Sequence, residues 1–405
     1  MKIMQRSCKD PTNLSRRFRV ALVFAAAVAM LSVTPSLMQG QTFSLLYQFK
    51  SGDHGAVPYA GPVLDAMGNL YGTAYQDGAH AGGTVYKLSP TGKQTALYSF
   101  AGLGGDGEDP YIGTLARDAA GNLYGTTSLG GIYDQSCFLG CGIVYKVDEN
   151  GEETVLHRFS GTGVDGFSPG SGVVRDSSGN LYGTTEFGGT FGQGTVYKVD
   201  ANGKETILYN FSGGTDGGVP IAGLTLNPKG NLFGTATSGG IDFAGVVFQV
   251  DPSGTETVLY SFTGGTDGGT PSGGLVQDSA GHLYGTTSFG GANGFGTVFE
   301  ITSIGAETVL HSFTGGADGV TPGYASLVRD AAGNLYGTTP GGGAHSVGTV
   351  FKVDTKGVET VLHAFDQADG YLPNGTLALD SKGNLYGTTV YGGAYGGGVV
   401  FKIAP

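Results

Sequence analysis

The chain has 405 residues, with 33 Asp and Glu against 21 Lys and Arg, a formal net charge of −12, 78 Gly, 15 Pro and no Trp. So acidic a protein disfavours nucleic acid and anionic membrane as partners. Glycine and proline together approach the level of low-complexity disorder, but the glycines fall at fixed offsets between runs of Val, Leu, Ile, Tyr and Phe, and that excludes the disordered class.

Residues 1–40 differ in kind from the rest. Lys2, Arg6, Lys9, Arg16, Arg17 and Arg19 lead into an apolar run from Ala21 to Val33, followed by Pro35 and small or polar residues up to Gly40. This reads as a secretory signal peptide, too short in its apolar part to span a bilayer comfortably, with cleavage near Gly40. The pair Arg16-Arg17 allows a twin-arginine reading, against which Phe18 follows too closely. Residues 41–405 then carry 15 basic and 32 acidic residues, a net charge of −17. A secreted or extracytoplasmic protein of the periplasm or cell surface is expected, with no transmembrane segment in the mature chain.

From residue 42 the chain repeats. The core Leu-aromatic-Gly-Thr returns seven times, with its aromatic at Tyr71, Tyr124, Tyr182, Phe233, Tyr284, Tyr336 and Tyr386, in steps of 53, 58, 51, 51, 52 and 50. A period near 51 residues, carrying short strand-like runs between glycine turns, marks a repeat architecture. In the fifth unit the runs are Gly273–Asp278, His282–Thr287, Gly296–Ile301 and Glu307–Phe313. Short glycine-containing turns join the first to the second and the third to the fourth, while the other two links are long. Thr42–Phe49 matches a fourth run, and the chain stops after Gly397–Ile403, which matches a third. The spacing predicts an all-β, seven-bladed β-propeller over residues 41–405, each blade four antiparallel strands, closed by the N-terminal strand pairing into the last blade. The strands read as buried on both faces. The glycine after each core aromatic reads as a point of close backbone approach between blades.

The blocks GLV.D..GNLYGTT, GTVYKVD and ETVLYSF resemble the bacterial secreted GloVer tandem-repeat family over roughly residues 42–405. The resemblance implies a surface or extracytoplasmic repeat protein and carries no activity or site residues. The chain departs from it in ending at Pro405 without a hydrophobic tail or sorting signal, which argues against a C-terminal anchor. The strand order also resembles propellers of the NHL and lyase-like kinds, a likeness of fold from which no function follows.

Repeated residues are explained by the fold. An Asp precedes each inter-unit proline (Asp53, Asp106, Asp165, Asp216, Asp267, Asp318, Asp369), and it is read as closing its own turn rather than as a cation ring. His157, His311 and His363 share a register with Tyr47, Tyr98, Tyr209 and Tyr260 and read as packing residues. No nucleophile elbow, phosphate loop or zinc motif occurs, and neither cofactor nor metal is expected. Cys137 and Cys141 read as a disulfide holding the blade 2 loop rather than the fold.

Function is sought where the symmetry fails. Tyr59, Tyr111, Phe167, Tyr324 and Tyr371 are expected around the mouth of the central channel, where tyrosine faces suit sugar rings. The departures gather on blades 1 to 3: His54, the loop Tyr75–His80, Glu108 and Asp109 beside Tyr111, the insertion Ser128–Gly142 with Tyr133 and Asp134, and Glu186. The leading reading is a monomeric, non-enzymatic binding propeller that engages a glycan or cell-surface partner on the long-loop face. The alternatives are a polysaccharide lyase or hydrolase using Glu108, Asp109 and Glu186 as acid and base, and a structural envelope repeat.

Overall fold

The computed structural model describes residues 41–405 apart from 103, 112 and 164, and no helix occurs among them. The signal peptide read in residues 1–40 lies outside the described residues. Seven four-stranded antiparallel sheets follow one another. In the fifth, the inner, second, third and outer strands are Val276–Gln277, Leu283–Thr287, Thr297–Ile301 and Glu307–Ser312. The seventh takes Thr42–Gln48 as its outer strand, paired from Thr42↔Ala404 to Gln48↔Val399. This is a seven-bladed propeller closed by its N-terminal strand.

The inner strands are shorter than the sequence predicts. Two residues of Gly273–Asp278 join the ladder, Val276↔Tyr284 and Gln277↔Leu283; the preceding Gly273 packs instead on the sixth blade, where an added Cβ would lie 2.6 Å from the Ala325 carbonyl. Burial on both faces holds for the second and third strands, whereas the outer strands are only half-buried because one edge meets solvent. Every outer strand carries a β-bulge against the third, which adds to the blade twist.

The repeated motif can now be read atom by atom. In blade 2 the turn residue Asp118 accepts the Asn122 main-chain N–H at 2.9 Å, its side-chain amide at 2.9 Å and the Tyr124 hydroxyl at 3.0 Å. Blade 4 has Asn227 for the Asp and Phe233 for the Tyr, so hydroxyl and carboxylate are lost together. In four blades the first Thr of the motif's end reaches the next blade, as where Thr126 donates to the Ser171 carbonyl at 2.6 Å and Thr388 to the Ala60 carbonyl at 3.0 Å across the closure. The second Thr ties down its own loop, as in Thr287 to the Phe289 carbonyl at 2.9 Å.

The glycine of the motif serves a ring rather than a neighbouring backbone, which corrects the reading from sequence. A Cβ at Gly285 would lie 2.6 Å from Phe299 Cζ and 2.8 Å from Leu275 Cδ2. The third-strand aromatic lies across this bare position in all seven blades. That same ring meets, edge to face, the phenylalanine ending the previous outer strand, with centroids 4.9–5.2 Å apart from Phe49/Tyr86 through Phe365/Phe401. Blade-to-blade backbone approach falls elsewhere, as at Gly172, whose Cβ would run into the Thr114 main chain of the preceding blade, 3.0 Å from its carbonyl carbon.

The residue before each inter-blade proline has a positive φ: Val57, Asp109, Ser168, Val219, Thr270, Thr321 and Leu372, at 52–64°. Such a conformation costs on the order of 1–3 kcal/mol unless the surroundings over-determine it. Here they do. Asp109 donates its N–H to the Gly82 carbonyl of blade 1, and its carbonyl accepts the Ser128 N–H of blade 2, both at 3.1 Å.

Six of the seven loop carboxylates close turns, as read, while Asp53 makes no side-chain hydrogen bond among the described residues. Asp216 Oδ2 accepts the Tyr209 hydroxyl at 3.0 Å and the Ser212 N–H at 2.8 Å. It also faces Glu256, which opens the next outer strand; burial, reinforced by Asp216, pushes the Glu256 carboxyl up to about 7. Glu153, Glu307 and Glu359 are raised to about 7 by burial and by Asp106, Asp267 and Asp318 in turn.

Two predictions follow from this packing. Gly285→Ala is expected to destabilise the protein by about 1–3 kcal/mol through overpacking against Phe299; in chemical denaturation, a Phe299→Leu background should recover part of that loss, and strictly additive effects would contradict the contact. The raised glutamates also fix a pH dependence. Their folded values lie above the ordinary 4.5, so the stability they contribute is whole below that value and is lost as pH rises through about 7. The hairpin aspartates run the other way: burial raises Asp118, but hydrogen bonds from Asn122 and Tyr124 outweigh it and hold the carboxyl below 3.8, a contribution lost only in stronger acid. The melting temperature is expected to fall between about pH 5 and pH 8, less steeply in Glu256→Gln/Glu307→Gln, and a rising profile over that range would refute the assignment.

Candidate functional site

Both long links of every blade emerge at one end of the ring, and short bridges between them, such as Tyr371–Tyr391 and Gly107–Gly130, hold their paths. The channel below is a cavity of 490 Å³ lined by inner-strand residues of blades 2 to 7, including Thr114, Ser171, Ile221, Gly274, Tyr324 and Thr376.

At its mouth tyrosines converge. The Tyr59 and Tyr111 centroids lie 4.6 Å apart, Tyr75 and Tyr111 5.3 Å, and Tyr59 and Tyr75 5.7 Å. The Tyr59 hydroxyl is pushed well up by burial and by the neighbouring Tyr111 and Tyr391. Tyr371 packs on Tyr391 at 5.4 Å. Tyr324 stands 42% exposed, close enough to raise the Tyr111 hydroxyl. The structure therefore gathers Tyr59, Tyr111, Tyr324 and Tyr371 and adds Tyr75 and Tyr391. Tyr75 opens a loop already marked as a break in the symmetry, whereas Tyr391, three positions past the Gly-Thr core, carries no signal in the sequence beyond that offset. Phe167 sits apart from the cluster, against Phe187 at 5.6 Å and the cysteine pair.

Two acidic groups edge the tyrosines. Asp109 is half-buried beside Tyr75; burial, and then Glu108, raise its carboxyl to about 6 against the opposing effect of the Tyr75 hydroxyl. Burial also raises Glu186, which is near enough to Tyr111 to act on its hydroxyl. Glu108 lies in the short strand Gly107–Glu108, paired with Leu129. A carboxyl that titrates near neutrality beside a tyrosine can move a proton or accept a sugar hydroxyl.

The blade 2 insertion is bound to this face. Tyr133 donates to the Gly102 carbonyl, and Asp134 accepts the Ser136 N–H at 2.7 Å. Cys137 and Cys141 form a disulfide with Cα atoms 5.1 Å apart. Both cysteines are buried in the cluster of Phe159, Val173 and Tyr197 between blades 2 and 3, so the bridge belongs to the blade interface as well as to the loop. Between them Phe138 and Leu139 are 81% and 65% exposed. Other large apolar side chains stand out from the matching loops of the next three blades: Phe187 and Phe191, Ile241 and Phe243, Phe289 and Phe295.

The fold and this face define a β-propeller whose repeats build the scaffold and whose loops carry the variation. Residues 30–241, 131–330 and 323–405 match the Gloeobacter/Verrucomicrobia repeat, and the chain belongs to that family. Among curated proteins none matches it in sequence. Among solved structures, it is similar to the extracellular domain of a protein described as a one-component system from B. thetaiotaomicron, at 9% identity and TM-score 0.50, over 88% of this chain and 39% of that one. It is also similar to a gluconolactonase from Xanthomonas campestris, at 15% identity and TM-score 0.46, over 90% of this chain and 89% of that one. Among the described residues no helix is long and apolar enough to cross a membrane.

Since so short a loop removes little chain entropy, the bridge should act mainly through packing. Cys137→Ala/Cys141→Ala is expected to cost on the order of 2 kcal/mol and to speed proteolysis at Phe138 and Leu139. Unchanged melting, read by calorimetry, would place the bridge outside the interface core.

Proposed function

We propose that this protein is an extracytoplasmic binding propeller whose long-loop face takes a glycan over the tyrosine-lined mouth of the channel. The observation that carries the reading is the convergence of Tyr59, Tyr75 and Tyr111 within 5.7 Å, with Tyr324 exposed beside them. Tyrosine offers an apolar face to a sugar ring and a hydroxyl to its edge, and a preformed cluster needs little ordering on binding. Asp109 and Glu186 supply acceptors for sugar hydroxyls at the same place. The exposed aromatics of blades 2 to 5 extend the face beyond what a monosaccharide covers and favour an extended chain or a surface-bound glycan.

A second reading, a lyase or hydrolase, draws on one observation: Asp109 titrates near 6 within reach of the Tyr75 hydroxyl, a pairing suited to general acid–base work.

The test is a glycan array followed by calorimetric titration. Tyr111→Ala and Tyr324→Ala are expected to weaken binding of any glycan hit about tenfold each, the effect of losing a stacked anchor, and Asp109→Asn to weaken it less, with the glycan recovered uncleaved from parent and variant alike. Product formation that disappears in Asp109→Asn would establish the enzyme instead, and an array without hits would count against the glycan.

A further inference from the structure

The blade junctions share one plan, and the junction between blades 2 and 3 departs from it. At the junctions of Tyr209 and Tyr260 both oxygens of the loop Asp are occupied: Asp216 takes Tyr209 and the Ser212 N–H on Oδ2 and the Ser212 hydroxyl on Oδ1, and Asp267 does the same with Tyr260 and Thr263. At the second junction His157 replaces the Tyr, and Ser160 places both its N–H and its hydroxyl on Asp165 Oδ2, at 2.7 and 2.8 Å. Oδ1 is left facing His157 Nε2 at 3.8 Å, and the same Nε2 lies 3.7 Å from Glu205 Oε1. These three atoms are within 4.8 Å of one another. Each is buried, and none makes a hydrogen bond.

The other histidine junctions differ at the carboxylate. Both oxygens of Asp318 are taken by Thr314, with His311 Nε2 at 3.5 Å; His311 Nε2 and Glu359 Oε1 are unpartnered there too, so the free Oδ1 of Asp165 is what sets the second junction apart. His363 bonds Asp369 directly at 2.8 Å, and Phe43 occupies the register of the glutamate, stacked on the imidazole at 3.8 Å.

Two carboxylates and an imidazole held together out of water need a proton or a metal ion to offset their charge. One nitrogen and two oxygens make the donor set of a first-row divalent ion. A point equidistant from three atoms so spaced lies about 2.2–2.4 Å from each, close to the length of a metal–ligand bond. The side chains keep 15–17% exposure, enough for an ion to enter from the rim. We propose that His157, Asp165 and Glu205 form a zinc site that clamps blade 2 to blade 3. The imidazole comes from the outer strand of one blade, Glu205 from that of the next and Asp165 from the link between them, so a bound ion ties three segments that the repeat elsewhere joins with a tyrosine hydroxyl.

Protein stripped with EDTA is titrated with zinc by calorimetry and melted with and without it. One ion per chain and a higher melting temperature are expected, with at least tenfold weaker binding in His157→Tyr and in Glu205→Gln. Both variants install residues that a sister junction already carries, Tyr98 and Gln94, and circular dichroism confirms that they fold. No zinc binding by the parent protein, or unchanged binding in either folded variant, overturns the assignment.

Discussion

The ring depends on one three-part contact: a bare glycine in the second strand, an aromatic from the third strand laid across it, and a phenylalanine from the preceding blade set edge-on to that aromatic. The first pairing fixes how closely two strands of a blade can pack, and the second fixes how one blade meets the next. Because Phe49 performs this role for Tyr86 exactly as the internal phenylalanines do for their neighbours, closure uses the same contact as every internal junction. Burying seven such pairs removes far more apolar surface than any loop contact can. The two-residue inner strands are tolerable for this reason, since the blades are held from the rim inward.

Much of this could be read before any coordinates. Period, strand count, direction and closure all follow from the spacing of Leu-aromatic-Gly-Thr and from the unmatched runs at Thr42 and Gly397. What spacing could not supply was the identity of the partner. A glycine at a fixed offset says that something comes close, and Phe299 over Gly285 is as consistent with that as a neighbouring backbone. The same gap governed the candidate site. Tyr59, Tyr111, Tyr324 and Tyr371 were recognisable because they open inner strands, whereas Tyr75 and Tyr391 lie on loops whose path is set by bridges that no local pattern announces. Phe167 has the right register but is drawn away by the cysteine pair, which belongs to an insertion without counterpart in the other blades.

Acid chemistry in this protein is divided between two circles. The outer circle, Asp against Glu at the blade junctions, is repeated and answers to the needs of packing: its protons settle the charge of buried pairs. The inner one, Asp109 and Glu186 beside the tyrosines, is not repeated and so owes nothing to the ring. His157 belongs by position to the first circle and by its irregular partners to neither, which is how a scaffold position becomes available for another use.

The left-handed residue before each inter-blade proline has a consequence for how such proteins can diversify. Its N–H is bound to the preceding blade in all seven links, and all seven carbonyls accept a main-chain N–H from their own blade, that of Gly323 at Thr321 and that of the loop after the second strand in the other six. The backbone sets its conformation whatever the side chain: Val57, Asp109, Ser168, Val219, Thr270, Thr321 and Leu372 share no chemistry, although Val57 and Leu372 also pack with Ala56 and Val390. Around the channel the protein thus keeps a collar of interchangeable letters, a place where selection can rewrite what the ring presents without renegotiating how it folds.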